Sequence, residues 1–493
     1  MNAPAKKLFF IFNSGNRYSI VLSLLIFSLF TQAQLQLCTS NPHYFQYKNK
    51  PVLLITSAEH YGCLVNIDFD YIAYLDALHA DGINNTRVFA GPAIERERDI
   101  DWMLYRNTLA PMPGKLIVPW ARSSTPGYFN GGNKFDLDTW DENYFKRLKD
   151  LVTQAGKRGI FIELTLFGNQ YKDSLWMNSP LYPSNNIQQV GPSGKNSFLL
   201  FQTLKDSQLV KRQEAFVHKI VNELNLFDNL YYEICNEPYN EQKDSSAVDQ
   251  WHHHMVQFIK KTEAPLPKKH LIAINESVPD DPDVSVANYH YVYVTGRPSF
   301  DSLYKLNKVI SLDETMGSLT HADEDDVRTE AWDHILKGGG AYNNLSWEYT
   351  TTAPAGSDSA KIIRSYLHHL QTFMQGFHYT RMAPLKYEGS INDENYFVRI
   401  LAEKGKQYAV YLHHSKPRGK GSIWGYDAIV KRFRDTISIN MPAGNYNLKY
   451  INPSTGSVTG KATSFIHAGG EKIFVTPGFT TDIAIQILKT KNK

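Results

Sequence analysis

Three cysteines in 493 residues, Cys38, Cys63 and Cys235, are too few and too irregularly spaced for a disulfide framework. No structural disulfide is expected; Cys38 with Cys63 is the one pair to check. Cys235, inside an apolar run, reads as a small hydrophobe. Net charge is also lacking. The formal +3 falls to zero once Lys6, Lys7 and Arg17 of the first 33 residues are set aside, which leaves no electrostatic case for nucleic acid or an anionic membrane. No glycine-rich phosphate turn follows an early strand-like run, which weighs against an open doubly wound nucleotide-binding sheet. Internal repeats and low-complexity segments are missing too. The triplet His252, His253, His254 sits in a helical stretch, where consecutive residues face three directions and cannot close one metal site.

What is present begins with an export signal over residues 1–33. Basic residues precede the apolar run "SIVLSLLIFSLF", and "TQAQ" offers cleavage after Ala33. Twelve apolar residues are short for a membrane span, so none is expected once the segment is removed. A lipid anchor on Cys38 is disfavoured because "LQLC" has Gln and Leu where small residues belong. The expected location is periplasmic or secreted.

From residue 51 to about 350, eight apolar runs alternate with helical patterns: "PVLLITSA", "NNTRVFAG", "GIFIELTLFG", "NLYYEICNEP", "HLIAINE", "VSVANYHYVY", "KVISLDETMG" and "GGAYNNLSWEY". Amphipathic stretches such as "DENYFKRLKDLVTQAGKRG" lie between several of them. This alternation predicts a closed parallel (β/α)8 barrel over residues 34–383. After residue 384 the helical period disappears and short strands with turn signals predict a small all-β sandwich, 384–493. The segments after the second and third runs are long and rich in aromatics, among them Trp102, Tyr105, Trp120, Tyr128, Phe129, Tyr171, Trp176 and Tyr182. Such loops either present rings to a ligand or pack among themselves.

In a barrel of this kind the chemistry lies at the carboxyl ends of the strands. The polar residues there are Glu59 and His60 after the first, Arg87 in the second, Asn236 and Glu237 after the fourth, His290 with Tyr289 and Tyr291 in the sixth, Asp313 and Glu314 ending the seventh, and Trp347 in the eighth. Two glutamates facing one another across such a mouth are what glycoside hydrolysis requires. Glu237 reads as the acid/base and Glu314 as the nucleophile, with Asp313 as its rival; strand alternation points Asp313 to the other face. Arg87 is expected to hold Glu314 ionised. Asn236, Arg87, His290, Trp347, Glu59, His60 and Tyr291 are the candidate sugar contacts. Glu233 and Glu163 read as buried structural acids, Glu163 with Arg87 as its candidate partner. No cofactor is needed for this chemistry.

The segment "YEICNEP" resembles the strand-four motif of the clan A glycoside hydrolases, the retaining barrels that include the cellulase-type family five. The resemblance implies that Glu237 is the acid/base and that Glu314 in "ISLDETMG" is the nucleophile. It also matches Arg87 in "NTRVF", His290 and Trp347 to the clan's strand-two arginine, strand-six histidine and strand-eight tryptophan. The resemblance covers roughly residues 42 to 350 and implies a carbohydrate substrate. This sequence departs from the family pattern in three places. "ELTLFG" has no strand-three histidine, Val292 stands two after His290 where a tyrosine is usual, and Gly317 follows Glu314 by three residues rather than two. A non-hydrolytic glycan-binding protein on the same fold is the alternative.

Overall fold

The computed structural model describes residues 34–98, 106–128, 131–239, 242–290, 300–315, 323–389, 393–417 and 425–490. The export signal, Tyr291, Trp102, Tyr105 and Phe129 lie outside them.

All eight apolar runs form strands: β1 (Leu54–Thr56), β2 (Asn85–Phe89), β3 (Phe161–Gly168), β4 (Leu230–Asn236), β5 (Ile272–Asn275), β6 (Val286–His290), β7 (Val309–Glu314) and β8 (Ala341–Asn343). They are buried on both faces, which is why they read as unbroken apolar runs rather than alternating ones. Parallel ladders run from β2 through β3, β4, β5, β6, β7 and β8 to β1. The remaining seam, between β1 and β2, is bridged by a side chain. Asn84 accepts from the Ile55 N–H at 3.1 Å and donates to the Leu53 carbonyl at 2.7 Å, while Gln371 donates to the Asn84 carbonyl oxygen at 3.1 Å.

Helices α1 (Tyr71–Ala80), α2 (Glu142–Lys157), α3 (Ser207–Leu224), α4 (Ser245–Glu263), α5 (Glu324–Leu336) and α6 (Asp358–Gln375) surround the barrel. Each starts on a side-chain cap: Asp70, Asp141, Asp206, Asp244, Asp323 and Ser357 accept from first-turn N–H groups. The helical spacing read in α2 is its packing stripe, with Phe145, Leu148, Leu151, Val152 and Ala155 buried. Between β5 and β6 no helix forms; "SVPDDPDV" carries two prolines, which break any helical ladder there.

Leu35 and Phe45 pack with Leu54, Phe161, Tyr231, Ala273, Val286, Val309 and Ala341, the first or second residues of seven strands. This cluster plugs the amino end of the barrel, so only the carboxyl end is left for a site.

After α6 the chain builds an antiparallel sheet from β9 (Tyr396–Glu403), β10 (Gln407–Pro417), β11 (Gly444–Ile451), β12 (Val458–His467) and β13 (Asp482–Lys489), with Ala383–Pro384 on its edge. One face packs Val398, Val410 and Ile485 against Ile437, Ile439 and Phe474 of a facing strand pair. The other face lies on α5. There Trp332 stacks on Tyr411 with ring centres 5.4 Å apart, and Arg328 makes a two-pronged pair with Asp482 at 2.9 and 3.0 Å. Asp333 of the same helix is fully buried. Burial pushes its carboxyl upward, but Arg399, Lys337 and His413 outweigh this and hold it well below the ordinary carboxylate range. Cys38, Cys63 and Cys235 are all free and buried. Among the described residues, no helix is long and apolar enough to cross a membrane.

Candidate active site

Strand β4 ends in Asn236, and the chain turns at once. Glu237 has φ +44°, a left-handed conformation that a residue with a side chain adopts only when its surroundings hold it there. Its N–H donates to the Asn275 side chain of β5 at 3.0 Å, and Pro238 follows. Tyr61, Glu276 and Leu345, which follow β1, β5 and β8, share the left-handed conformation. Left-handed residues with side chains thus follow four of the strands at the carboxyl end of the barrel, where sites form.

Glu314 ends β7 opposite Glu237. Carboxylate oxygens of the two, together with a ring nitrogen of His290, lie within 4.8 Å of one another. His290 Nδ1 is 2.9 Å from Glu237 Oε1 and 3.5 Å from Glu314 Oε2. Burial disfavours charge on His290, but Glu314, Asp313 and Glu237 together raise its pKa well above the ordinary value. Burial likewise pushes the Glu237 carboxyl up, and the hydrogen bonds from His290 and Tyr171 and the charges of His290 and Arg87 bring it below its usual value. Both directions favour a charged imidazole beside an ionised Glu237.

Asp313 is not on the other face, as alternation predicted. The β6–β7 ladder pairs Tyr289 with Leu312 and then His290 with Glu314, so Asp313 is an extra, bulged residue. The bulge turns Asp313 and Glu314 to the same side: Asp313 lies 3.3 Å from Arg87 and 3.6 Å from His290 Nε2.

Arg87 is fully buried and belongs to a deeper layer than a sugar contact would. Its first partner is Glu233, not Glu314: Nε and Nη2 donate to Glu233 Oε2 at 3.0 and 2.7 Å, Nη2 donates to Asn236 Oδ1 at 2.7 Å, and Glu314 is 3.5 Å from Nη1. Glu163 takes no direct bond from Arg87; Tyr231 and Asn288 donate to it. Burial, with Glu233 and Asp313 nearby, pushes its carboxyl up to about 8. Glu163, Glu233 and Asp313 have oxygens close enough to share a metal ion. Arg87, touching two of the three, already supplies the cation there. The histidines of α4 each have a separate partner: His252 bonds the Val248 carbonyl, His253 Asp281 and His254 Glu214.

Glu59 does not face the opening. It is fully buried, and its Oε2 accepts from the Gly62 N–H at 3.0 Å, so it caps the turn after β1 instead of meeting a ligand. Burial drives its carboxyl up to about 8, against the backbone N–H groups of Gly62 and Cys63. His60 stacks against Trp347 with ring centres 3.4 Å apart, and both are nearly buried. Burial and the charge of Arg87 hold His60 neutral.

Two phenols complete the rim. Asn236 Nδ2 donates to Tyr61 Oη at 2.5 Å and Tyr171 Oη at 3.3 Å, and Tyr171 in turn donates to Glu237 Oε2. Tyr61 stacks on Phe89 with centres 3.7 Å apart. Neither was assigned to the site from sequence, where Tyr171 was read only as one of the loop aromatics. Among the described residues, other loop aromatics pack among themselves: Trp120 against Trp140, Trp176 against Phe201, and Tyr128 against Phe135.

The family model of cellulase, glycosyl hydrolase family 5, matches residues 115–296, a stretch that carries β3 to β6 with Asn236, Glu237 and His290. No curated protein matches in sequence. In structure, the chain is similar to a candidate glycoside hydrolase from Bacteroides vulgatus ATCC 8482 (14% identity, TM-score 0.62), covering 93% of this chain and 83% of that one. It is also similar to a glycoside hydrolase family 5 protein of the same organism (11% identity, TM-score 0.60), covering 94% of each. Those likenesses concern the fold; the matched segment concerns the chemistry. Residues 115–296 thus match glycosyl hydrolase family 5, within an eight-stranded parallel barrel that is followed by an all-β domain at its C-terminal end.

Proposed function

We propose that the protein is an exported retaining glycosidase that cleaves a β-linked poly- or oligosaccharide by double displacement. The observation that carries this reading is the approach of Glu237 and Glu314 to within 4.8 Å. Oxygens this close favour the shorter spacing of retaining enzymes, about 5–5.5 Å between carboxyl groups, over the about 6.5–9.5 Å by which inverting ones admit a water.

In the first step Glu314 attacks the anomeric carbon while Glu237 protonates the leaving oxygen; in the second, Glu237 as base activates the water that releases the sugar. The proton for the first step is the one His290 holds beside Glu237 Oε1. Arg87, buried under the site, favours the ionised form of Glu314 and fixes Asn236 by its carbonyl oxygen. Asn236, Trp347, His60 and Tyr291 are the candidate sugar contacts, as read from the sequence. Export rests on the basic residues, apolar run and small cleavage residues of 1–33. The long loops after β2 and β3 support terminal rather than internal cutting.

The test is a screen of purified protein against polysaccharides and aryl glycosides, repeated with Glu237→Gln and Glu314→Gln. The proposal expects cleavage by the wild type and none by either variant. Intact cleavage by either variant overturns it, and a ladder of mid-length products overturns terminal cutting.

A further inference from the structure

Tyr171 lies three residues beyond the last residue of β3. The ladder between β3 and β4 continues to its very end, pairing Gly168 with Asn236, and the Asn169 N–H then donates to the Asn236 carbonyl at 3.1 Å. The chain leaving β3 is thereby stitched to the end of β4 just where Glu237 begins. Lys243 fastens it from the other side, donating to the Asn169 side chain at 2.5 Å and to the Pro238 carbonyl at 3.3 Å. Asn169 and Gln170 are buried. The phenol of Tyr171 is therefore carried by a rigid segment directly over the acid/base.

Its hydroxyl is engaged on both sides. It accepts from Asn236 Nδ2 and donates to Glu237 Oε2, while His290 holds the other oxygen, Oε1. Asn236 is itself pinned by Arg87. The links run from Arg87 through Asn236, Tyr171, Glu237, His290 and Glu314 back to Arg87, a closed ring around the two glutamates. We propose that Tyr171 is a positioning residue that sets the protonation balance of Glu237 from the strand-three side of the mouth.

The physical reason is the direction of the hydrogen bond. A donor to a carboxylate favours its ionised form. Burial raises the Tyr171 phenol well above its ordinary range, so it remains a donor at every working pH. The other groups that face Glu237 are His290 on β6, Arg87 on β2, Glu314 and Asp313 on β7, Glu276 after β5 and Tyr61 after β1. His290 and Arg87 act in the same sense as Tyr171, the acids in the opposite one. None of them changes when the Tyr171 hydroxyl alone is removed. Tyr171→Phe keeps the ring and deletes the described donor on Oε2, so the ionised form of Glu237 loses support and the shared proton shifts from His290 toward Glu237, which raises the pH at which the pair gives it up.

This inference rests on Glu237 being the acid/base, and the experiment separates the two. The pH profile of kcat/KM is measured for wild type and Tyr171→Phe on a substrate found by screening, with Glu237→Gln alongside. A hydrogen bond to a charged group is worth about one to two pH units; because His290 shares the proton, the basic limb of the profile is expected to move up by about one unit, with KM little changed. Inactive Glu237→Gln together with an unmoved or downward-shifted Tyr171→Phe profile overturns the role of Tyr171 alone; so does a uniform loss of activity at all pH values in a variant that folds normally. Active Glu237→Gln overturns the assignment of the acid/base beneath it.

Discussion

His290 Nδ1 stands 2.9 Å from Glu237 Oε1 and 3.5 Å from Glu314 Oε2, so one imidazole lies between the two carboxylates that the chemistry needs in different protonation states. Replacing it by Gln removes the site where the shared proton rests. The trio then loses its proton at lower pH, and the basic limb of kcat/KM moves down, opposite to the shift expected for Tyr171→Phe. General acid–base assistance is worth 10²–10⁴-fold, and a loss of about 10²-fold at neutral pH is expected. Steady-state rates across pH check both the size and the sign.

Arg87 is the only cation among the described residues that touches Glu233, Asp313 and Glu314 together. Arg87→Met leaves these acids buried without it, a change expected to destabilise the fold by about 3–5 kcal/mol. Arg87→Lys keeps the charge but loses the fork that holds Glu233 and Asn236 at once, so it is expected to fall between wild type and Met. Urea unfolding followed by tryptophan fluorescence gives the order.

Glu59 offers a test on stability instead of activity. Its carboxyl is at about 8 in the fold against an unfolded value near 4.5. Below the unfolded value both states carry the proton and the residue adds no pH dependence. Between there and about 8 the unfolded chain gives up its proton and the folded one keeps it, so stability falls as pH rises through this window. Glu59→Gln removes the ionisation. Its melting temperature is expected to exceed wild type at pH 8 by several degrees and to match it at pH 4.5; equal curves at both values would contradict the burial argument.

The C-terminal sheet covers α5 on the face that carries Trp332 and Arg328. Domains joined by so dry a contact melt together, so calorimetry is expected to show one transition, with Asp482→Ala lowering it as a whole. Two separate transitions would mean that the contact contributes little.

The barrel was legible in the sequence because its strands are buried on both faces and announce themselves as eight apolar runs. The places of Glu237 and Glu314 at facing strand ends were legible because the runs that carry them count as the fourth and seventh strands. What escaped had local causes. The bulge at Asp313 changes no residue type, yet it reverses the face on which that acid sits. Glu59 looked like a rim residue by its place after β1, but the chain turns back beyond it and its carboxyl caps that turn. Tyr61 reaches Asn236 through a left-handed backbone that no spacing rule predicts, and Tyr171 through loop residues buried by tertiary contacts. Arg87 was expected at the mouth but lies buried beneath it, and its stronger partner, Glu233, emerged only from the register of β2, β3 and β4.

The central claim is that Glu314 forms a covalent bond to the sugar while Glu237 serves as acid/base. The most direct measurement is trapping with 2-deoxy-2-fluoro glycosides bearing a good leaving group, followed by peptide mass spectrometry. The account predicts one sugar adduct, on Glu314 in "ISLDETMG", formed by the wild type and absent from Glu314→Gln. An adduct on Asp313, or turnover of natural substrate to the inverted anomer with no adduct, would contradict it.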